Sequence, residues 1–143
     1  MGKVFYVLRG LQGTGKSTVA HEIVSESGTQ NTLIASTDDY FMVDGEYIFN
    51  PEKLGEYHQA NYNRCVQFFE KMEKADDAVC ILDNTNVEHW HYEPYVEKAE
   101  QYGFEVRIVV ISWRWADIPT YARRNKHGVS EIAIRNTARK WEA

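Results

Sequence analysis

The run Gly10-Leu11-Gln12-Gly13-Thr14-Gly15-Lys16-Ser17-Thr18 sets glycines, a lysine and hydroxyls at a spacing suited to holding phosphate. Glycines let successive backbone N–H groups curve around an anion at the positive end of a following helix. The run satisfies G-x-x-x-x-G-K-[S/T], which assigns Gly10, Gly13, Thr14, Gly15, Lys16, Ser17 and Thr18 to a nucleoside triphosphate. In such a loop Lys16 reaches the β- and γ-phosphates, and the Ser17 hydroxyl holds Mg²⁺.

Three further places carry chemistry. Ser36-Thr37-Asp38-Asp39-Tyr40 follows an apolar run, and a carboxylate there can take the proton of an attacking hydroxyl, a role worth roughly 10² to 10⁴ in rate. Asp38 is the candidate base; capping of the next segment is the alternative for either aspartate. Asp83 ends the run Val79-Cys80-Ile81-Leu82 and is the candidate second metal ligand beside Ser17. Asn84, Thr85 and Asn86 either orient substrate or stop the strand. In Tyr121-Ala122-Arg123-Arg124-Asn125-Lys126-His127-Gly128, Arg124 and then Arg123 are candidates to neutralise transferring phosphoryl oxygens, with Arg135 behind them.

These groups need a scaffold that brings chain segments far apart in sequence to one end. Residues 4–8, 32–35, 79–82 and 106–111 are short apolar runs that read as strands buried on both faces. Helical patterns at 16–25, 50–74 and 89–102 separate them, with Asn50-Pro51 opening the second and Gly103 closing the third. Asp117 and Ser130 read as caps of two last helices around Lys126-His127-Gly128, a helical lid over about 117–143. Strands alternating with helices imply parallel pairing through right-handed crossovers, hence a three-layer α/β fold. The 143 residues suit one domain, 1–143.

The net charge of −5 argues against a broadly basic surface that coats nucleic acid. From 106 onward, however, eight Lys and Arg face three acids, so the cationic end is fitted to close over an anion. The apolar stretch after Met1-Gly2-Lys3 is too short for a signal or membrane segment, and Tyr6 breaks the myristoylation pattern. Cys65 and Cys80 read as buried thiols. A cytoplasmic protein without a membrane partner is the expectation.

In order, GLQGTGKST, STDDYF, GEYIFNP, LDNTN followed by Trp90, and RRNKHGVS resemble the polynucleotide-kinase-like P-loop kinases. The similarity is closest to the small branch resembling the kinase-like domain of Nedd-family ubiquitin-ligase-binding proteins, and it covers nearly the whole chain. The resemblance implies a P-loop NTPase fold with sheet order 2-3-1-4 and Mg²⁺-dependent transfer from ATP to a 5′-hydroxyl. It matches Lys16 and Ser17 to the phosphate and metal residues, Asp38 to the general base and Arg124 to a lid arginine. Two positions depart from it. Phe41 stands where viral polynucleotide kinases place an arginine near the substrate phosphate, and Lys126 and His127 fill a shortened turn that leaves the second lid arginine unmatched.

Tyr40, Phe41, Tyr47 and Phe49 surround Asp44-Gly45, a hairpin signal, and form either a base-stacking surface or a packed flap. His58, Asn61 and Arg64 recur at helical spacing, as a pocket lining or a polar helix face. Trp113 and Trp115 bracket Arg114, a candidate to stack on adenine. Three functions fit these residues: a kinase for single-stranded nucleic-acid 5′ ends, a kinase for a small hydroxyl compound such as a nucleoside or sugar, and a non-catalytic ATP-binding interaction module.

Overall fold

The computed structural model describes residues 2–143; Met1, part of the N-terminal reading above, lies outside them. The chain runs β1 (Lys3–Arg9), α1 (Lys16–Ser27), β2 (Thr32–Ala35), β3 (Met42–Val43), β4 (Glu46–Tyr47), α2 (Leu54–Lys71), β5 (Ala78–Asp83), α3 (Glu93–Gln101), β6 (Glu105–Val110), α4 (Ile118–Arg124) and α5 (Glu131–Arg139). The sheet has order β2-β5-β1-β6, all pairs parallel. Counting its four strands in chain order, this is the 2-3-1-4 arrangement.

Alternation along the strands divides the core. Phe5, Val7, Cys80 and Leu82 point to the face covered by α2 and α3, where Phe69, Tyr95 and Phe104 complete an aromatic core. Leu8, Val79 and Ile81 point the other way, onto Ala20 and its neighbours on α1. Helices on both faces make the three layers. The edge-to-face contact of Phe5 with Phe69, centroids 5.2 Å apart, lies where β1 meets α2.

The last strand departs from the expectation of burial on both faces. Phe104 and Val106 are packed beneath α3, but Ile108 and Val110, of the same parity as Val106, are 49% and 52% exposed. β6 is an edge strand paired only with β1, and the nine-residue α3 does not extend along its whole length. Expected helix starts are displaced too: single 3₁₀ turns at Pro51–Lys53 and His89–His91 precede α2 and α3. Asn50 accepts from Glu52 N, and Ser130 caps α5 by accepting from Ala133 N. Asp117 makes no side-chain cap; its carboxylate is taken by Arg114 at 2.9 Å.

The lid pair α4–α5 is anchored by a third apolar cluster. Leu11, from the glycine-rich loop itself, is fully buried among Ile118, Tyr121, Ile134 and Ala138. A hinged flap would stand off the loop, whereas this helical pair shares its core with it.

Candidate active site

All three loops of the site leave the carboxyl ends of parallel strands, where an open α/β sheet forms its crevice. After β1 the chain turns through the glycine-rich loop into α1. Gly13 and Gly15 sit at φ 79° and 96°, left-handed backbone that favours glycine. A Cβ on Gly13 would come within 2.2 Å of the Tyr121 carbonyl oxygen, so the lid backbone rests directly on the loop. Gly10 is also tightly placed: its N–H donates to Thr85 O at 3.1 Å, and a Cβ would meet Ile111 Cβ and Thr14 Oγ1 at 3.0 Å. Thr14 Oγ1 braces the loop by donating to Leu11 O at 2.7 Å. Thr18 lies exposed on the first turn of α1.

Lys16, at the start of α1, donates to Leu11 O at 3.2 Å. Burial disfavours its ammonium and lowers its pKa, while the charges of Asp83 and Asp38 oppose that shift. Ser17 Oγ donates to Asp83 Oδ2 at 3.1 Å. Asp83, 9% exposed, is raised above the ordinary carboxylate range by burial; Lys16 and the Ser17 hydroxyl act the other way, and Asp38 and Asp39 add repulsion. A hydroxyl beside a carboxylate is a hard-oxygen donor pair, the type Mg²⁺ takes together with waters and phosphate oxygens.

The adjacent aspartates have different surroundings. Asp39 is engaged by Arg64 Nη2 at 3.3 Å, and the same guanidinium also donates to Ser36 O and Asn61 Oδ1. Asp38 accepts from the Tyr47 hydroxyl at 3.1 Å and has His127 Nε2 at 3.6 Å from its other oxygen. Tyr47 and His127 stack with centroids 3.9 Å apart. Burial and the Asp38 charge raise the Tyr47 pKa, so its phenol remains a donor. The Asn84 amide ties the two strand ends together, accepting from Thr37 N at 3.0 Å and donating to Thr37 Oγ1 at 3.1 Å. His58 Nδ1 lies 3.0 Å from that same hydroxyl.

Of the lid arginines, Arg124 reaches the loop, donating through Nε and Nη2 to Gly13 O at 3.2 and 2.6 Å. Arg123 instead donates to Thr120 Oγ1 at 3.1 Å, and Arg135 is paired with Glu131 at 2.8 Å. Arg114 is held by Asp117, and Trp113 packs on Trp115 and Trp141, centroids 5.5 and 5.6 Å away. The aromatic hairpin is a packed flap: Phe41 is 1% exposed and lies 4.8 Å from Tyr57 and 5.1 Å from Phe49. The face of α2 bearing Asn61 and Arg64 turns inward, with Asn61 fully buried near the Tyr95 hydroxyl.

Three residues whose roles the sequence did not indicate shape this end. Tyr47 and His127 converge on Asp38 from segments eighty residues apart, a meeting no local spacing announces. Arg9, 3% exposed, donates to the Asn86, Val87 and Glu142 carbonyls and lies against the Tyr92 and Trp141 rings at 5.2 and 4.6 Å. A lone arginine after a buried strand is the signal that was available for it.

Strand order, glycine-rich loop and helical lid together define a P-loop kinase-like domain. The family model described as an AAA domain matches residues 5–140, and the chain belongs to that family. NEDD4-binding protein 2 of Homo sapiens is 39% identical over 135 residues, covering 94% of this chain and 7% of that protein. The chain therefore spans a small part of that relative. Among solved structures, a chain of the Pnkp1/Rnl/Hen1 RNA repair complex aligns with TM-score 0.68 at 16% identity over 97% of this chain and 43% of its own. A gluconokinase from Sinorhizobium meliloti 1021 aligns with TM-score 0.61 at 14% identity, covering 98% of this chain and 75% of its own. Both solved structures share the fold. Among the described residues no helix is long and apolar enough to cross a membrane.

Proposed function

We propose that this domain transfers the γ-phosphoryl group of ATP to the 5′-hydroxyl of a single-stranded nucleic-acid end, with Asp38 as general base. The observation that carries the proposal is the divergence of the two aspartates: Arg64 pairs with Asp39, while Asp38 has no arginine on it among the described residues, accepts from the Tyr47 hydroxyl beside His127, and acts through its charge on Lys16. Asp38 takes the hydroxyl proton as the oxygen bonds to the γ-phosphorus and the bond to the β–γ bridging oxygen breaks. Lys16 holds the charge developing on the departing diphosphate. Arg124, which donates to Gly13 O, would meet charge on the equatorial oxygens. Ser17 and Asp83 would hold Mg²⁺, which screens the phosphate charge when bound.

The free thiols Cys65 and Cys80, both buried with sulfurs 4.0 Å apart, suit the reducing cytoplasm. A second reading, a kinase for a small hydroxyl compound, is favoured by Phe41: a buried ring stands at the sequence position where the resemblance to viral polynucleotide kinases implies an arginine near the substrate phosphate.

The test is transfer of labelled γ-phosphate from Mg·ATP to 5′-hydroxyl RNA, DNA, nucleosides and sugars. Label on oligonucleotide ends, lost by roughly 10² to 10⁴ in Asp38→Asn and abolished in Lys16→Ala, supports the proposal. Label on small compounds alone supports the second reading. ATP binding without transfer to any acceptor refutes both and favours an interaction module.

A further inference from the structure

Beside the site lies a cleft of about 320 Å³ between the start of α2, the turn that follows β5, and the last turns of α5. It shares walls with the catalytic end. His58, which contacts Thr37 next to Asp38, lines it, as does Thr85, two residues beyond Asp83. Its volume is at the lower end for small-molecule sites, enough for one nucleotide-sized unit and too small for a duplex.

The lining is mixed in a specific way. Trp90 stands 66% exposed, yet its indole is held: Nε1 donates to Glu88 Oε2 at 3.0 Å, and the His91 ring contacts it edge-on at 4.3 Å. An indole fixed in orientation and left open is a stacking platform with little ordering cost. Across the cleft Lys140 is exposed, and among the described residues no ion pair engages its ammonium. Glu88, the carboxylate of the cleft, is committed to Trp90 and His91. Burial lowers the pKa of both His58 and His91, which therefore present neutral imidazoles near pH 7. The cleft thus offers one aromatic plane, one free cation and neutral hydrogen-bonding groups. Its natural complement is a ring attached to a single anion.

We propose that this cleft binds the first nucleoside of the acceptor with its 3′-phosphate, the base stacked on Trp90 and the phosphate held by Lys140. The inference rests on the transferase reading above for the word acceptor, and its phosphate-binding cation comes from the C-cap of α5. Occupancy of the cleft by such a unit is testable without turnover.

The experiment measures binding of adenosine 3′-monophosphate, with the phosphate loop saturated by a non-hydrolysable ATP analogue. The unmodified chain is compared with Trp90→Ala, Trp90→Phe, Lys140→Gln and Lys140→Arg; both side chains are exposed, so folding is not at risk. Trp90→Ala weakens binding by roughly fivefold to a hundredfold and Trp90→Phe largely restores it. Lys140→Gln weakens binding by about fivefold to tenfold, flattens the dependence of log affinity on log salt by about 0.7, and is rescued by Lys140→Arg. Affinity for the ATP analogue stays unchanged in all four. Adenosine, lacking the phosphate, binds the unmodified chain as weakly as adenosine 3′-monophosphate binds Lys140→Gln. A 5′-hydroxyl trinucleotide that binds tighter than the mononucleotide and shows the same losses identifies the unit as the end of a strand, whereas equal affinity identifies a free nucleotide. Affinities within twofold of the unmodified chain in both Trp90→Ala and Lys140→Gln, or equal losses for the ATP analogue, overturn the proposal. Binding that the variants abolish, in a chain that transfers phosphate to nothing, leaves the cleft standing and removes the transferase reading instead.

Discussion

Alanine at position 13 has to place a Cβ 2.2 Å from the Tyr121 carbonyl oxygen, on backbone at φ 79°. Alanine at position 15 takes on a comparable backbone strain at φ 96° but meets nothing within 4 Å. The pair separates strain from contact. Left-handed backbone costs an alanine about 1–2 kcal/mol, so Gly15→Ala loses about that much stability. In Gly13→Ala the loop and α4 must also part, from 2.2 Å to the 3.4 Å where ordinary contact begins. That displacement of about 1.2 Å strains the core around Leu11, an overpacking cost of roughly 1–3 kcal/mol, and stretches the exposed Arg124 bonds to Gly13 O, worth about 1 kcal/mol. Gly13→Ala is therefore less stable than Gly15→Ala by about 2–4 kcal/mol. At about 3–5 °C per kcal/mol for a chain of this size, its melting temperature falls roughly 10 °C further. Urea and thermal unfolding measure both variants. If they agree within about 0.5 kcal/mol, the lid does not rest on the loop in solution and the reasoning fails.

Other substitutions test the remaining parts. Leu11→Ala, deleting a fully buried side chain, costs about 2–5 kcal/mol in urea unfolding and exposes the basic turn at Arg123 and Lys126 to faster trypsin cleavage. Arg9→Met leaves the Asn86, Val87 and Glu142 carbonyls short of a donor; we expect a loss of roughly 2–4 kcal/mol and faster amide exchange at Glu142. Asp83→Asn removes the charged partner of Ser17, so calorimetry should show ATP affinity losing most of its dependence on Mg²⁺. His58 and His91 both have folded pKa values below 6.5. The unfolded chain therefore binds more protons as pH falls through 6.5, and stability declines on the acid side until the folded forms also protonate. Replacing both with Gln should flatten the stability-against-pH curve just below pH 6.5, and an unchanged curve would refute the assignment.

What was legible in the sequence was contiguous. The glycine-rich loop is nine consecutive residues, and the parallel strands are runs whose burial shows in their composition. The 2-3-1-4 order came with the family resemblance. The surroundings of Asp38 were illegible because Tyr47 and His127 reach it across tertiary contacts, one from a two-residue strand and one from the lid turn. Phe41 carried an ambiguous signal: an aromatic beside a turn suits a stacking surface and a packed flap alike, and only Tyr57 on α2 decides between them. β6 misled for a related reason. Its aliphatic composition suits a strand covered on both sides, and the length of α3, which limits the cover, is set elsewhere in the chain. Arg9 follows the apolar run 4–8 in the sequence, and it is buried because backbone carbonyls, invisible to composition, converge on it.

Along the outer edge of β6 the backbone faces away from β1, with Ile108 and Val110 about half exposed beside it. An edge of this kind is a template on which a strand of another molecule can pair. Glu105 and Arg107, joined in an ion pair on the same strand, set fixed charges among the aliphatic residues and disfavour such stacking. Neutralising both would leave the phosphate-handling end untouched and lower the concentration at which copies begin to associate. An edge that supplies no residue of the candidate site would thus set how readily copies of the chain pair.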